Sequence, residues 1–268
     1  MVYLLLWHMQ PKMLIECGKQ AMGGCISMKE KYKKKFNAAV VILSFCACAG
    51  IIIFAKGKIE SAVTTVSTEP HNQTMIVLDA GHGGMDGGCS TADGKTEKGI
   101  NLNILLSVRD MARFFGYNVD ATRIKDVSIH DSGVTGIRNQ KVSDMENRLE
   151  LFNKYPDAVC VSIHQNTFSD SKYNGAQMFY SDKNPESERL ASIMQSCFVE
   201  NLQPDNQRET KLCGNELYLC YFCNNPAVMV ECGFLSNPDE AAKLTDKAYQ
   251  QQVAFTVFSG INEFVTTT

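Results

Sequence analysis

The stretch from Met75 to Gly88 places a short apolar segment directly before a glycine-rich loop that carries one histidine, His82. The apolar segment favours a β-strand, and the glycines allow the backbone to turn sharply and to approach a ligand closely. A strand that ends in such a loop presents the imidazole at its carboxyl end, where open α/β sheets bind their ligands. The pattern therefore predicts an α/β sheet with His82 at its functional edge.

Two further apolar segments end in a residue that can bind a metal or move a proton. One leads to His164, and the other, residues 227–230, leads to Glu231. Glu97 is the first residue of a helical pattern that begins 15 residues after His82. A charged Glu231 on an apolar strand has no structural reason to be there, because burying an unpaired charge is costly. We therefore expect these side chains to meet at one edge of the sheet.

Two histidines and one carboxylate form a ligand set that catalytic zinc uses while it keeps a fourth position open. His82, Glu97 and His164 are therefore predicted to bind Zn²⁺. Glu231 is then free to act as the general base or acid on a water molecule. The alternative is that His164 and Glu231 are ordinary residues at the ends of strands, and the occurrence of all four together argues against it.

These motifs resemble those of the zinc-dependent N-acetylmuramoyl-L-alanine amidases. The resemblance extends from about Met75 to Val265 and rests on residues 79–87, Glu97, and residues 122–126, 162–166 and 230–237. It implies that His82, Glu97 and His164 are zinc ligands and that Glu231 is the catalytic carboxylate. Ala80 stands where many members have proline and Gln165 where a small residue is common, but neither is an implied ligand.

The resemblance also implies a reaction, which is hydrolysis of the amide bond between N-acetylmuramic acid and L-alanine in peptidoglycan. A zinc peptidase that acts on wall peptides and a non-catalytic peptidoglycan-binding module remain as alternatives. Segments 147–151, 174–177 and 207–211 are similar to those of the membrane-anchored, sporulation-specific amidases. Those enzymes remove peptides from muramic acid in the spore cortex, before muramic-δ-lactam is made.

Strand and helix patterns alternate along the domain, which favours a three-layer αβα fold with a mostly parallel or mixed central sheet. Asn184 and Asn237, each followed by proline, are predicted to begin helices. Residues 143–146 have the form of a capping box and predict a helix that begins there. Residues 124–142 show no clear period and are predicted to be a surface loop, whereas residues 217–222 are predicted to belong to a strand.

Composition adds two constraints. The formal net charge of −3 over 268 residues gives no indication of nucleic-acid binding. The predicted catalytic domain has seven cysteines, an odd number that cannot pair completely, and we expect buried thiols. The Cys220-x-x-Cys223 motif lacks a second cysteine pair at zinc-finger spacing.

The amino-terminal part differs from the rest of the chain. A lysine-rich block, residues 29–35, precedes eighteen uncharged residues, 38–55, which are enough for a membrane-spanning helix. The excess of lysine before this segment predicts a single-pass protein of the cell membrane with its catalytic domain outside the cytoplasm. A cleaved signal peptide ending near Ala49 is the alternative and would give a secreted protein.

These features predict the organisation of the whole chain. Met28 precedes the basic block directly, so we expect translation to begin there and residues 1–27 to be a misassigned extension. Residues 28–55 form the basic segment with the anchor or signal sequence, residues 56–72 form a linker, and residues 73–268 form a single zinc amidase catalytic domain.

The predicted anchor can be tested by fractionation. The full-length protein should remain with membranes after a high-salt wash, because the apolar segment and not charge holds it there. In protoplasts, its catalytic domain should be digested by external protease. A soluble product that begins near Gly50 would contradict the anchor and support cleavage.

Overall fold

Helices cover both faces of the central sheet. Two strands, residues 75–80 and 159–166, accordingly bury apolar side chains on both of their faces. The computed structural model describes residues 74–267. The six strands are β1 (Met75–Ala80), β2 (Asn118–Ala121), β3 (Val159–Asn166), β4 (Gln177–Tyr180), β5 (Lys211–Leu212) and β6 (Ala227–Phe234). The helices are α1 (Glu97–Phe114), α2 (Ile137–Asn153), α3 (Glu186–Asn201), α4 (Tyr218–Phe222), α5 (Pro238–Leu244) and α6 (Lys247–Thr266).

The strand order in the sheet is β2-β1-β3-β6-β4-β5. Strands β2, β1, β3 and β6 are parallel, β4 runs antiparallel to β6, and β5 is parallel to β4. Helices α1, α3 and α6 pack on one face, and α2 and α4 lie on the other. This is the predicted three-layer αβα domain, and its sheet is mixed.

Alternation along the strands decides which side chains reach each face. Val161 and Ile163 of β3 join the large core beneath α1, α3 and α6. Ser162 and His164 therefore point to the opposite face, towards α2. On β6, Val230 belongs to the same large core, so Glu231 shares the face of His164.

Both helices predicted to begin at an asparagine–proline pair are present, with Asn237 as the N-cap residue of α5 and Asn184 one residue before the N-cap of α3. Asn184 Oδ1 accepts a hydrogen bond from the backbone nitrogen of Glu186 at 2.9 Å. Asn237 Oδ1 accepts from the backbone nitrogens of Asp239 and Glu240 at 3.0 and 3.1 Å. These bonds satisfy amide groups that have no partner within the first turn of a helix.

Three local predictions were wrong. Helix α2 begins at Ile137, so residues 137–142 are helical and Ser143 lies inside the helix, where it bonds to Asp131. The start of the helix was placed too late because its inward face carries the polar Ser143 and Arg148 and lacks an apolar period. The segment predicted as a strand over 217–222 forms the five-residue helix α4, which is too short to show a helical period.

The third error concerns the end of β6. The strand continues through three apolar or small residues to Phe234, so Glu231 lies within it and not at its end. His164 likewise lies within β3. Both side chains still reach the site, because the alternation of the strand and not its end directs them to that face.

All seven cysteines in residues 74–267 are free thiols, and six of them are buried, as expected. Within this range no helix is long and apolar enough to cross a membrane. The predicted extension (1–27), the anchor or signal segment (28–55) and the linker (56–72) lie outside the described residues.

Candidate metal centre

The four predicted site residues come together on the face of the sheet that α2 covers. His164 on β3 is the register partner of Glu231 on β6. Glu97 is the first residue of α1, and His82 belongs to the loop that follows β1. The ligand atoms of His82, Glu97 and His164 all lie within 4.8 Å of one another.

The buried carboxylate of Glu97 lies between the two imidazoles. Its Oε2 is 3.3 Å from His82 Nε2, and its Oε1 is 3.0 Å from His164 Nδ1. The two imidazole rings meet edge to face, with centroids 5.0 Å apart. Two nitrogen donors and one oxygen donor that converge in this way match the ligands of a divalent metal such as zinc.

The loop after β1 brings His82 to the cluster through a sharp turn. His82 has φ of 65°, in the left-handed region that residues other than glycine rarely adopt. Such a conformation costs about 1–3 kcal/mol and persists only where its surroundings hold it. Gly83 and Asp86 close the turn by exchanging backbone hydrogen bonds of 2.9 and 3.1 Å.

Two glycines leave the space that the cluster occupies. A Cβ atom on Gly81 would collide with the His164 imidazole. A Cβ atom on Gly88 would collide with Glu97 Oε2 and lie 2.7 Å from His82 Cδ2. The glycines noticed in the sequence are therefore required by the close approach of the backbone to the site.

Backbone and amide groups fix the orientation of Glu97. Its Oε1 accepts from the backbone nitrogen of Gln165 at 3.0 Å and from Asn101 Nδ2 at 3.1 Å, and its Oε2 accepts from the backbone nitrogen of Cys89 at 2.9 Å. Burial alone would raise the pKa of Glu97, but the hydrogen bonds and charges of His164 and His82 hold it well below its usual range. This carboxylate is therefore ionised.

A second carboxylate orients His82 from its other side. His82 Nδ1 lies 2.8 Å from Asp86 Oδ2, and Lys141 Nζ lies 2.9 Å from Asp86 Oδ1. Burial lowers the pKa of His82, but the hydrogen bonds and charges of Glu97 and Asp86 outweigh burial and raise this pKa to about 9. A carboxylate behind a histidine ligand fixes its tautomer and direction. Asp86 therefore orients the His82 ring. Asp79 instead bonds to Thr122, Arg148 and Ser162.

Glu231 differs from Glu97 in its surroundings. Its Oε2 is buried and has no hydrogen-bond partner. Burial raises the pKa of Glu231 to about 7, against the opposing charge of His164. A carboxyl group with a pKa close to neutrality can both accept and release a proton.

A cavity of about 320 Å³ opens onto the cluster, between α2 and the segment around α4. His82, His164 and Glu231 line its floor. Its walls include Met85, Ser128, Lys141, Met145, Leu217 and Tyr218. The two candidate histidine ligands and Glu231 therefore face one space that a substrate can enter.

Arg123 and Asp126 bond to the backbone and to Lys98, and not to each other. Arg123 donates to the carbonyls of Ala80 and Gly81 at 2.9 and 3.0 Å. Asp126 accepts from the backbone nitrogen of Gly84 at 2.8 Å and pairs with Lys98 at 2.8 Å. Both residues thus support the loop that carries His82.

Sequence reasoning missed Arg148, which lines the cavity from α2 and is buried. No signal in the sequence marks this residue, because the helix lacks an apolar stripe that would mark its inward face and so identify Arg148 as buried.

An α/β sheet, two converging imidazoles, one ionised carboxylate and a second carboxyl group with a raised pKa define the class of metal-dependent hydrolases. Comparison with known proteins specifies this class further. The sequence profile of the N-acetylmuramoyl-L-alanine amidase family Amidase_3 matches residues 76–263. The chain belongs to this family of amidases.

Relatives agree with this assignment. The chain is 35% identical over 198 residues to the germination-specific N-acetylmuramoyl-L-alanine amidase of Bacillus subtilis, a match that covers 74% of this chain and 82% of the relative. The solved CwlD amidase from Clostridioides difficile, in complex with the GerS lipoprotein, is 36% identical with a TM-score of 0.70 and covers 73% of this chain and 100% of its own. An N-acetylmuramoyl-L-alanine amidase from Clostridium difficile 630 is 27% identical, with a TM-score of 0.61 and coverage of 72% and 97%.

Gly81 offers a test of how closely the loop must approach His164. Gly81→Ala should abolish tight zinc binding, because the added methyl group displaces the His164 imidazole. Gly99→Ala is the matched control, since a Cβ atom there meets nothing within 4 Å and helix α1 should gain up to about 1 kcal/mol. Zinc titration and thermal melting of both variants make the comparison. Unchanged zinc affinity in Gly81→Ala would show that the close approach is not needed.

Proposed function

We propose that His82, Glu97 and His164 hold one zinc ion and that Glu231 is the catalytic acid–base group. The main support for this proposal is that two imidazole nitrogens and a buried, ionised carboxylate converge within 4.8 Å of one another, and that both imidazoles line a cavity. Zinc, when bound, supplies a Lewis acid that polarises the amide carbonyl and makes an attacking water molecule more acidic.

The reaction also requires a side chain that transfers one proton. Glu231 faces the same cavity as the two histidines, and its buried Oε2 has no competing hydrogen bond. We propose that it takes a proton from the attacking water and delivers it to the amine that leaves. A pKa raised to about 7 by burial suits both halves of this transfer, because neither form of the carboxyl group is strongly preferred at neutral pH.

The substrate follows from the family. N-acetylmuramoyl-L-alanine amidases cleave the bond between N-acetylmuramic acid and L-alanine in peptidoglycan, so the enzyme acts outside the cytoplasm. We propose that its particular substrate is the spore cortex. The germination-specific amidase of Bacillus subtilis, 35% identical to this chain, supports that role.

Attachment to the cell surface is a further part of the proposal. The uncharged segment 38–55 supports a membrane anchor, with the catalytic domain outside the membrane. A lipoprotein partner is also proposed, because the structurally similar CwlD amidase was solved in complex with the GerS lipoprotein. Both features would hold the enzyme close to newly made cell wall.

Zinc affinity should depend on pH through His82. In the metal-free protein its pKa is raised to about 9 by Glu97 and Asp86, against the effect of burial. Zinc must displace that proton, so raising the pH should tighten binding about tenfold per unit between pH 7 and 9, with about one proton released per ion. Chelator competition across this pH range is the measurement. Affinity that does not change with pH would rule out His82 as a protonated ligand site.

Glu231→Gln separates catalysis from metal binding. The variant keeps the size of the side chain but cannot accept a proton, so it should fold, bind one zinc ion and lose at least about 100-fold in amide hydrolysis. Digestion of cell-wall sacculi with mass spectrometry of the fragments measures the loss and identifies the bond that is cut. Spores that carry only this variant should lack muramic-δ-lactam.

His164→Ala is the comparison variant, and it should lose zinc together with activity. Near-wild-type hydrolysis by zinc-loaded Glu231→Gln would exclude the proposed role of Glu231. Cleavage between amino acids of the stem peptide by the wild-type protein would identify a peptidase instead.

A further inference from the structure

Arg148 is a fully buried arginine, and each nitrogen of its guanidinium donates at least one hydrogen bond to the protein. Its Nε donates to Asp144 Oδ2 at 2.6 Å, and its Nη1 donates to Asp79 and to the carbonyl of Ala80, the latter at 2.9 Å. Its Nη2 donates to the carbonyl of His82 at 2.7 Å. Four of its five N–H donors are therefore used within the protein, although the side chain lines the cavity.

The hydrogen bond from Arg148 Nη2 is made to the carbonyl of His82, the residue whose φ of 65° lies in the left-handed region. His82 is one of two residues other than glycine with positive φ in residues 74–267. A conformation of this kind is kept when fixed neighbours over-determine it. Arg148 holds the main-chain carbonyl of His82 and Asp86 holds its ring nitrogen, so the direction of the imidazole is set from two sides.

The partners of the guanidinium are themselves held firmly. Asp144 accepts from the Ser128 hydroxyl at 2.7 Å. Asp79 accepts from the hydroxyls of Ser162 and Thr122 at 2.6 and 2.7 Å. Since Ser162 lies two residues before His164 on β3, one network connects α2 with the segments that carry both histidines.

We propose that Arg148 is a positioning residue that pre-organises the metal centre by fixing the backbone of His82. The inference rests on the proposed zinc site and deepens it. A planar guanidinium can reach two carboxylates and two carbonyls at once, whereas a lysine ammonium offers three donors at a single point. Arg148→Lys therefore keeps the charge near Asp79 and Asp144 but cannot keep the bond to His82.

Arg123 provides a matched control on the same loop. It is also buried, and it donates to the carbonyls of Ala80, Gly81 and Lys98 at 2.9, 3.0 and 2.8 Å. It makes no hydrogen bond to His82. Arg123→Lys therefore removes a comparable guanidinium from the carboxyl end of β1 and leaves the carbonyl of the histidine bonded.

The experiment compares full-length wild type, Arg148→Lys and Arg123→Lys. Zinc affinity is measured by chelator competition, stability by thermal melting, and hydrolysis at limiting and at excess zinc. We expect the zinc Kd of Arg148→Lys to weaken by about 10–100-fold, which is the usual effect of losing a group that supports a ligand. Excess zinc should restore most of its turnover without changing KM. Arg123→Lys should lose clearly less zinc affinity than Arg148→Lys, because the carbonyl of His82 keeps its hydrogen bond to Arg148.

Equal zinc affinity of Arg148→Lys and wild type would overturn the inference. It would also fail if both lysine variants lost zinc affinity in proportion to their loss in melting temperature, because general destabilisation would then explain the effect. If Arg148→Lys does not fold, Asp144→Asn replaces it, since this change weakens the anchor of Nε. That variant should show a smaller loss of zinc affinity, and unchanged affinity would overturn the inference equally. A wild-type protein that bound no zinc would instead remove the proposed function.

Discussion

A buried negative charge between two imidazoles is the interaction on which this structure depends. Glu97 is only 2% exposed, and an isolated carboxylate at such a position would be strongly disfavoured. Three hydrogen bonds from Cys89, Asn101 and Gln165 hold it in place, and two histidines face it. The glycines at positions 81 and 88 follow from the need to bring these groups together, because a Cβ atom at either would collide with them.

The site contains two glutamates whose environments separate their properties. Glu97 is surrounded by donors, which hold its pKa well below the usual range in spite of burial. Glu231 has a buried oxygen without a donor, and burial raises its pKa to about 7. Glu97 is thus suited to bind a cation and Glu231 to exchange a proton. The difference comes from their surroundings, because the two residues are of the same type.

The sequence was most informative where chemistry and periodicity coincide. His82, His164 and Glu231 could be selected because each interrupts or follows an apolar pattern, and Glu97 because it begins a helical pattern. The structure brings His82, Glu97 and His164 together and places Glu231 in the same cavity as the two histidines. The layered fold followed from the alternation of strands and helices.

What the sequence did not reveal depends on contacts between distant segments. Helix α2 was placed too late, because Ser143 and Arg148 face inwards and pair with polar groups from other elements. Alternation along β6, rather than its end, directs Glu231 to the site. Such partners are known only once the chain is folded, since a buried polar side chain has no periodic signature of its own.

The most direct test of the central claim is X-ray absorption at the zinc edge on the native full-length protein. We expect one zinc ion per chain with nitrogen and oxygen neighbours at about 2.0–2.2 Å and no sulfur neighbour. Sulfur at about 2.3 Å would place the metal on the cysteines, and a protein without zinc would leave the histidine and glutamate cluster without its proposed role. Either result would contradict the account.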